Sequence, residues 1–141
     1  MSENFDLLKA VSQNQQELSR TIEVRPGVEV DVKFLGKKAW RKLNKRLQAV
    51  KGSKVAQDEA AFNATHSELA KAVTGWRGMT REAVLEFLPV DPAALPDQIP
   101  FDPKNVLALL LHSGEFFSII AEAVDDLGAF RETSEEEARG N

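Results

Sequence analysis

The amino-acid sequence predicts a mainly α-helical (α+β) single domain of about five helices with one N-terminal β-hairpin. Two observations carry this prediction. Apolar residues recur at helical spacing over most of the chain, and they alternate with polar residues only between residues 20 and 35. The length of 141 residues fits one ordinary domain. A hydrophobic content of 43% with 28% charged residues is typical of a globular protein with one core.

The first 18 residues are polar and rich in glutamine. Phe5, Leu8 and Val11 stand three residues apart, which is compatible with one face of a helix. We therefore expect residues 1–18 to form either an N-terminal arm or a short helix.

A hairpin is predicted over residues 20–35. Apolar side chains alternate with polar ones on both sides of Pro26-Gly27. Proline presets φ and glycine accepts a positive φ, as the central positions of a type II turn require. Since two strands alone are only marginally stable, the apolar face must pack against helices or against a partner's sheet.

Helices are predicted over residues 37–50 and 55–73. In the first, Trp40, Leu43, Leu47 and Val50 form an apolar stripe, with lysines and arginines on the other side. In the second, one face carries Phe62, His66, Leu69 and Val73. Thr74-Gly75 is expected to stop this helix, because glycine is common just past a helix end.

The C-terminal half is divided by prolines. A short helix over residues 80–88 is followed by a linker over residues 89–100, which contains Pro89, Pro92, Pro96 and Pro100. Asp102-Pro103 is typical of a helix start and predicts a helix over 103–112. A last helix is predicted over 114–130, closed by Gly128 and Phe130, and then a frayed, charged tail over 132–141.

The composition argues against catalysis and against bound cofactors. The chain has no cysteine, which excludes disulfides and zinc–cysteine sites. Its two histidines, His66 and His112, lack the spacing of metal ligands or of a catalytic triad. No apolar run reaches the roughly 18 residues that a membrane span needs. We therefore expect no enzyme activity, no cofactor, no metal and no membrane insertion.

Charge is distributed unevenly along the chain. Nine of the 18 basic residues lie between Lys33 and Lys54, and acidic residues dominate after Gly114. The basic helix leaves a nucleic-acid-binding module as one alternative. Against it, Trp40 lies on the apolar stripe, and the pI of about 5.3 is unlike that of most nucleic-acid-binding domains.

Several aromatic residues are candidates for partner binding. Trp76 follows a predicted helix stop in a glycine-flanked turn, where it covers the core or anchors a partner. Phe116 and Phe117 are adjacent on a predicted helix and cannot both face one core, so one is expected to be buried and the other to face a partner.

The order of motifs in the C-terminal half resembles that of the tail assembly chaperones of long-tailed (siphovirus-type) bacteriophages. Gly75-Trp76-Arg77-Gly78 resembles the family's GW-x-G turn after a helix. Pro100-Phe101-Asp102 with Asn105 resembles its PF-(S/D)-x-x-N helix start, and Phe116-Phe117 lie in the final amphipathic helix. The resemblance covers residues 20–131 and leaves out the first 18.

This resemblance implies a non-catalytic chaperone that binds the tape measure protein and keeps it soluble during tail morphogenesis. The tail tube protein is a further expected partner. The expected location is the host cell cytoplasm, with the protein absent from the mature virion. The partner-binding candidates are Trp76, Phe101, Phe116 and Phe117.

The sequence also predicts a homo-oligomer. A two-stranded hairpin leaves edges that can pair with another copy, and the basic and acidic regions are complementary. Candidate self-association residues are Val28, Val30, Val32, Lys38, Arg41 and Lys45. Two alternatives to the chaperone remain at this point: another neck or tail-completion protein, and the nucleic-acid-binding module.

Overall fold

The chain is mostly helical and carries a small three-stranded antiparallel sheet. The computed structural model describes residues 5–14, 17–49 and 51–139. The helices are α1 (Leu7–Asn14), α2 (Gly36–Gln48), α3 (Lys54–Ala72), α4 (Arg81–Phe87), α5 (Pro103–His112), α6 (Gly114–Asp125) and α7 (Leu127–Arg139). The strands are β1 (Ser19–Arg25), β2 (Val28–Lys33) and β3 (Val73–Arg77), and Pro92–Ala94 form a 3-10 turn.

The sheet has the order β1-β2-β3, with β2 in the centre. The predicted hairpin is present as β1 and β2, joined by Pro26-Gly27, where Gly27 has φ 81°. The prediction of only two strands was wrong, because β3 pairs with β2 on its other side. Val30 therefore lies opposite both Ile22 and Trp76.

Glycines allow β3 to approach β2. A Cβ at Gly75 would lie 3.0 Å from Asp31 Oδ2, so glycine leaves room for the carboxylate. Gly78 has φ 73°, and a Cβ there would lie 2.0 Å from the Gly27 carbonyl oxygen. The sequence predicted a helix stop at Gly75 and a turn at Gly78. In the structure Gly75 lies within β3, and Gly78 follows the end of that strand.

The core lies between one face of the sheet and the helices. Val28, Val30 and Val32 of β2 are all buried on that face. The largest fully buried helical side chains of the same core come from α3, α5, α6 and α7: Leu69, Val106, Leu110, Phe116, Ile120, Val124 and Phe130.

The C-terminal region departs from the prediction. The single helix expected over 114–130 is divided at Asp126, and the expected frayed tail is helical as far as Arg139. The cause is local: the Asp126 carboxylate accepts a hydrogen bond from the Ala129 backbone N–H (3.0 Å), which starts a new helix. Residues 140–141 lie outside the described part of the chain.

The N-terminal half agrees with the prediction in outline. Of the two alternatives for residues 1–18, the described part forms the helix α1. Helix α2 ends at Gln48, and Val50, the predicted last residue, lies outside the described residues. The predicted linker contains the 3-10 turn and a bridge between Thr80 and Gln98.

Helices α5 and α6 meet at a sharp corner. The two helices are bent by 111°, and between them lies buried Ser113, whose Oγ accepts a hydrogen bond from the Phe116 N–H (3.1 Å). Within the described residues, no individual helix has the length and apolar character of a membrane span, although α5 and α6 taken together meet that criterion. The corner positions the end of α5 and the start of α6 beside α3.

Candidate functional site: an apolar groove

An open groove of about 540 Å³ lies where α3 passes the corner between α5 and α6; we call it the apolar groove. Its lining is Asp58, Ala61, Phe62, Thr65, His66, Leu110, Leu111, Gly114 and Phe117. Its volume falls within the usual range of binding sites, roughly 300–1,000 Å³.

Three aromatic rings form the wall of the apolar groove. The Phe62 ring centroid lies 4.1 Å from the His66 ring, which lies 4.8 Å from the Phe117 ring. His66 is buried, and its Nδ1 lies 2.7 Å from the Phe62 carbonyl oxygen. Because a carbonyl oxygen can only accept, Nδ1 carries the hydrogen, and this bond fixes the imidazole between the two phenyl rings.

The outer wall of the apolar groove is exposed to solvent. Phe62 is 50% exposed, and Val55, seven residues earlier on the same side of α3, is exposed as well. Phe117 and Leu111 are half-buried, whereas Leu110 is buried beneath them. Asp58 and Thr65 are polar members of the lining. The result is an apolar surface beside a carboxylate, of the kind that accepts the apolar face of an amphipathic helix.

Phe116 and Phe117 lie in different environments. Phe116 is fully buried and packs edge-to-face on Phe87, with ring centroids 5.5 Å apart. Phe117 is directed to His66 and lines the apolar groove. The core-facing residue of the pair is therefore Phe116, and its ring is not accessible to a partner.

Trp76 lies in β3 and not in a turn, so that part of the prediction was wrong. Its Nε1 donates a hydrogen bond to the Ile99 carbonyl oxygen (3.0 Å), and its ring meets Phe101 edge-to-face at 5.4 Å. Asn105 Nδ2 donates to the Pro100 carbonyl oxygen (2.9 Å). The two motifs, separated in sequence, thus pack against each other, with Trp76 half-buried and Phe101 40% exposed.

The candidate self-association residues divide into two groups. Val28, Val30 and Val32 are buried in the core, and the backbone of β2 is paired on both sides. Their proposed role in contacts with a second copy is therefore corrected: they stabilise the chain's own core. Arg41 and Lys45 are exposed on α2, and the Lys38 side chain lies outside the described part.

Phe62 and His66 are the site residues that the sequence argument missed. Both were placed on one face of the predicted helix, and of the two His66 is buried and Phe62 is exposed. Side chains at positions i and i+4 are neighbours on a helix surface. The spacing of Phe62 and His66 could therefore have indicated that their two rings lie side by side at the edge of the core.

Two charged clusters lie on the sheet. Arg77 donates to both carboxylate oxygens of Asp31 (3.0 Å each), and together with Thr21 it holds the pKa of Asp31 below its usual value. Arg25 pairs with Glu115 and with Glu86 (3.3 Å), and the bond to Glu115 is the main cause of the raised pKa of Arg25. Each cluster favours the charged forms of its side chains. The first links β3 to β2, and the second links β1 to α4 and α6.

Comparisons with known proteins return no match to this chain, whether with family models, curated proteins or solved structures. Within the described residues, no group of three or more histidine or acidic side chains is arranged to hold a metal ion. A functional assignment thus depends on the apolar groove and on the order of the motifs.

Proposed function

We propose that this chain is a non-catalytic tail assembly chaperone of a long-tailed bacteriophage. In this role it binds the helical tape measure protein and keeps it soluble in the host cytoplasm while the tail tube polymerises. The observation that carries the proposal is the position of Phe117. This residue belongs to the resembling motif, and it lines an open apolar groove together with half-exposed Phe62.

The chemistry of the apolar groove suits a long helical client. Such a client exposes apolar side chains at positions i, i+3, i+4 and i+7, and it is insoluble until these are covered. Phe62, Leu111 and Phe117 offer apolar contacts with little hydrogen-bonding demand, so they can accept many different apolar side chains. A chaperone for a repetitive helix needs this tolerance.

The paired motifs support the same proposal from the structural side. Trp76 and Phe101 hold β3 against the segment that leads into α5, and α5 forms one wall of the apolar groove. Asp102 caps α5 by accepting from the Lys104 N–H (2.8 Å). The residues of these two resembling motifs therefore pack against each other next to the start of α5, outside the lining of the apolar groove.

The direct test is co-expression with the tape measure protein encoded in the same genome. Wild-type chain is expected to bring that protein into the soluble fraction and to be recovered with it. Phe62→Ala, which removes an exposed ring of the groove, is expected to abolish solubilisation while the chaperone stays folded.

Phe101→Ala is the matched control, because Phe101 is a phenylalanine of similar exposure outside the groove. Loss of solubilisation by Phe101→Ala alone would place the client surface around Trp76. Failure of the wild-type chain to solubilise the client would contradict the proposed function itself. Absence of the chain from purified virions, measured by mass spectrometry, is a further expected result.

A further inference from the structure

A second groove, with three cations in its lining, lies between α2 and α3; we call it the basic groove. Its volume is about 800 Å³, and its lining is Leu35, Ala39, Lys42, Lys45, Arg46, Ala49 and Glu68. Its only carboxylate, Glu68, is already neutralised by Arg46 (3.1 Å) and Lys71 (3.7 Å). Among the described residues, Lys42 and Lys45 therefore contribute positive charge that no ion pair compensates, beside the apolar side chains of Leu35 and Ala39.

Helix α2 contains no acidic residue of its own. No acidic residue occurs in the sequence between Asp31 and Asp58. Lys37 and Arg41, Arg41 and Lys45, and Lys42 and Arg46 are each four residues apart, a spacing at which like charges destabilise a helix. Binding of a negatively charged surface to α2 would reduce this repulsion between its lysines and arginines.

The same chain carries the opposite charge pattern on α7. Phe130 anchors one face of α7 against Phe34 and Arg20, and the other face presents Glu132, Glu135 and Glu136, all exposed. These three glutamates stand at i, i+3 and i+4, so they also form a single-sign stripe. Within the described part of the chain, neither these carboxylates nor Lys42 and Lys45 take part in an ion pair.

We propose that the basic groove of one copy binds the Glu132–Glu135–Glu136 face of α7 from a second copy. The two surfaces are complementary in charge, since the glutamate stripe of α7 is negative and the groove is lined by lysines together with small alanines. The two surfaces are different patches of one chain. Where each copy gives its basic groove to one neighbour and its α7 to another, the contact is heterologous and generates rings or open chains, whereas a two-fold axis would close two such contacts into a dimer. This contact is independent of the apolar groove, which is lined by other residues.

Paired charge reversals test the contact. Lys42→Glu/Lys45→Glu and Glu135→Lys/Glu136→Lys are each expected to remain near 15.6 kDa in sedimentation velocity, whereas wild type forms larger species. An equimolar mixture of the two variants is expected to associate again, because each then offers the other a complementary surface. Wild-type association should weaken roughly tenfold or more between about 0.05 and 0.5 M salt, as surface charges become screened.

Matched controls separate this contact from net charge. Lys54→Glu/Lys104→Glu and Glu17→Lys/Glu59→Lys change the net charge equally at exposed sites outside both surfaces. They are expected to associate like wild type. Circular dichroism of every variant checks that it is folded.

Three results would overturn the proposal. One is a wild-type chain that stays monomeric at all concentrations, and another is a mixture of the two reversal variants that fails to associate. The third is saturable binding of a short DNA duplex that Lys42→Glu/Lys45→Glu abolishes while self-association is unchanged. That result would assign the basic groove to nucleic acid.

Discussion

At the scale of single residues, neighbours in sequence have separate tasks because successive helical side chains point about 100° apart. Phe116 is fully buried against Phe87, and Phe117 borders the apolar groove beside His66. Sequence alone indicated that the two residues divide between core and surface. It could not indicate which was which, because that depends on the bend at Ser113.

Alanine substitutions are expected to separate these two phenylalanines. Phe116→Ala should lower the free energy of unfolding by about 3–5 kcal/mol, because it removes a fully buried ring. Phe117→Ala should cost clearly less, since its ring is already half exposed at the groove. Urea unfolding of both variants measures the difference, and equal losses would place both rings in the core.

A glycine series tests the close approach of β3 to the hairpin turn. Gly78→Ala is expected to destabilise the chain by at least the roughly 1–3 kcal/mol that a left-handed residue costs, because its Cβ would also meet the Gly27 carbonyl oxygen at 2.0 Å. Gly114→Ala is the control: its Cβ meets nothing within 4 Å, and it begins α6. The midpoint of thermal unfolding should be clearly lower for Gly78→Ala than for Gly114→Ala. Similar midpoints would contradict the close approach of Gly78 to the hairpin turn.

The Asp31–Arg77 pair makes a prediction about pH. Two bonds from Arg77 lower the pKa of Asp31 in the folded chain, so ionised Asp31 stabilises the fold above its unfolded pKa of about 3.9. This contribution is lost as the pH falls through the lower, folded value. Urea unfolding from neutral pH to pH 2 should show a smaller acid-induced loss in Asp31→Asn than in wild type. Identical pH profiles would show that the pair contributes nothing.

At the scale of secondary-structure elements, patterns several residues long were predicted well, and short or interrupted ones were not. The hairpin and the helix over 103–112 follow from alternation and from the Asp102-Pro103 start. Strand β3 was missed because it has five residues with Gly75 in the middle, so its pairing depends on β2 and not on its own propensity.

The break between α6 and α7 was missed for a different reason. The two neighbouring aspartates at this break, Asp125 and Asp126, each have a structural task. Asp125 Oδ1 accepts from Trp40 Nε1 (2.9 Å), and Asp126 caps α7. The apolar spacing continues across Asp126, so the sequence gives no sign that one helix ends there and another begins. Without that start, the charged residues of α7 are read as a tail.

Removal of that cap should weaken α7 alone. Asp126→Ala is expected to cost about 1 kcal/mol, because the Ala129 N–H loses its acceptor. Amide hydrogen exchange should become faster in α7 and stay unchanged in α5. Asp102→Ala, which removes the cap of α5, is the matched control and should show the reverse pattern. Exchange that increases equally in both helices would contradict a local role for these caps.

At the scale of the whole molecule, the two proposed surfaces use different residues. The apolar groove is built by α3, α5 and α6, whereas the proposed contact between copies uses α2, α7 and Glu68 of α3. Of the candidate site, the sequence indicated Phe117 and the opposite charges, but the grooves arise only when distant elements pack. In the proposed role both surfaces are useful, since one would hold the client and the other would join neighbouring copies.

The two surfaces should therefore be separable by mutation. Phe62→Ala is expected to lose client binding and to keep wild-type sedimentation behaviour. Lys42→Glu/Lys45→Glu should bind a short client segment as wild type does and fail to self-associate. If either variant loses both properties while folded, the two surfaces are coupled, and the division of tasks proposed here is wrong.

The most direct test of the central claim is a methyl NMR titration with a helical segment of the tape measure protein. Leucine methyl signals would be followed in a variant that does not self-associate, such as Lys42→Glu/Lys45→Glu. The account predicts saturable shifts centred on Leu110 and Leu111, lost in Phe62→Ala and retained in Phe101→Ala. Saturable shifts confined to other leucines, or no binding, would contradict the claim that the apolar groove holds the client.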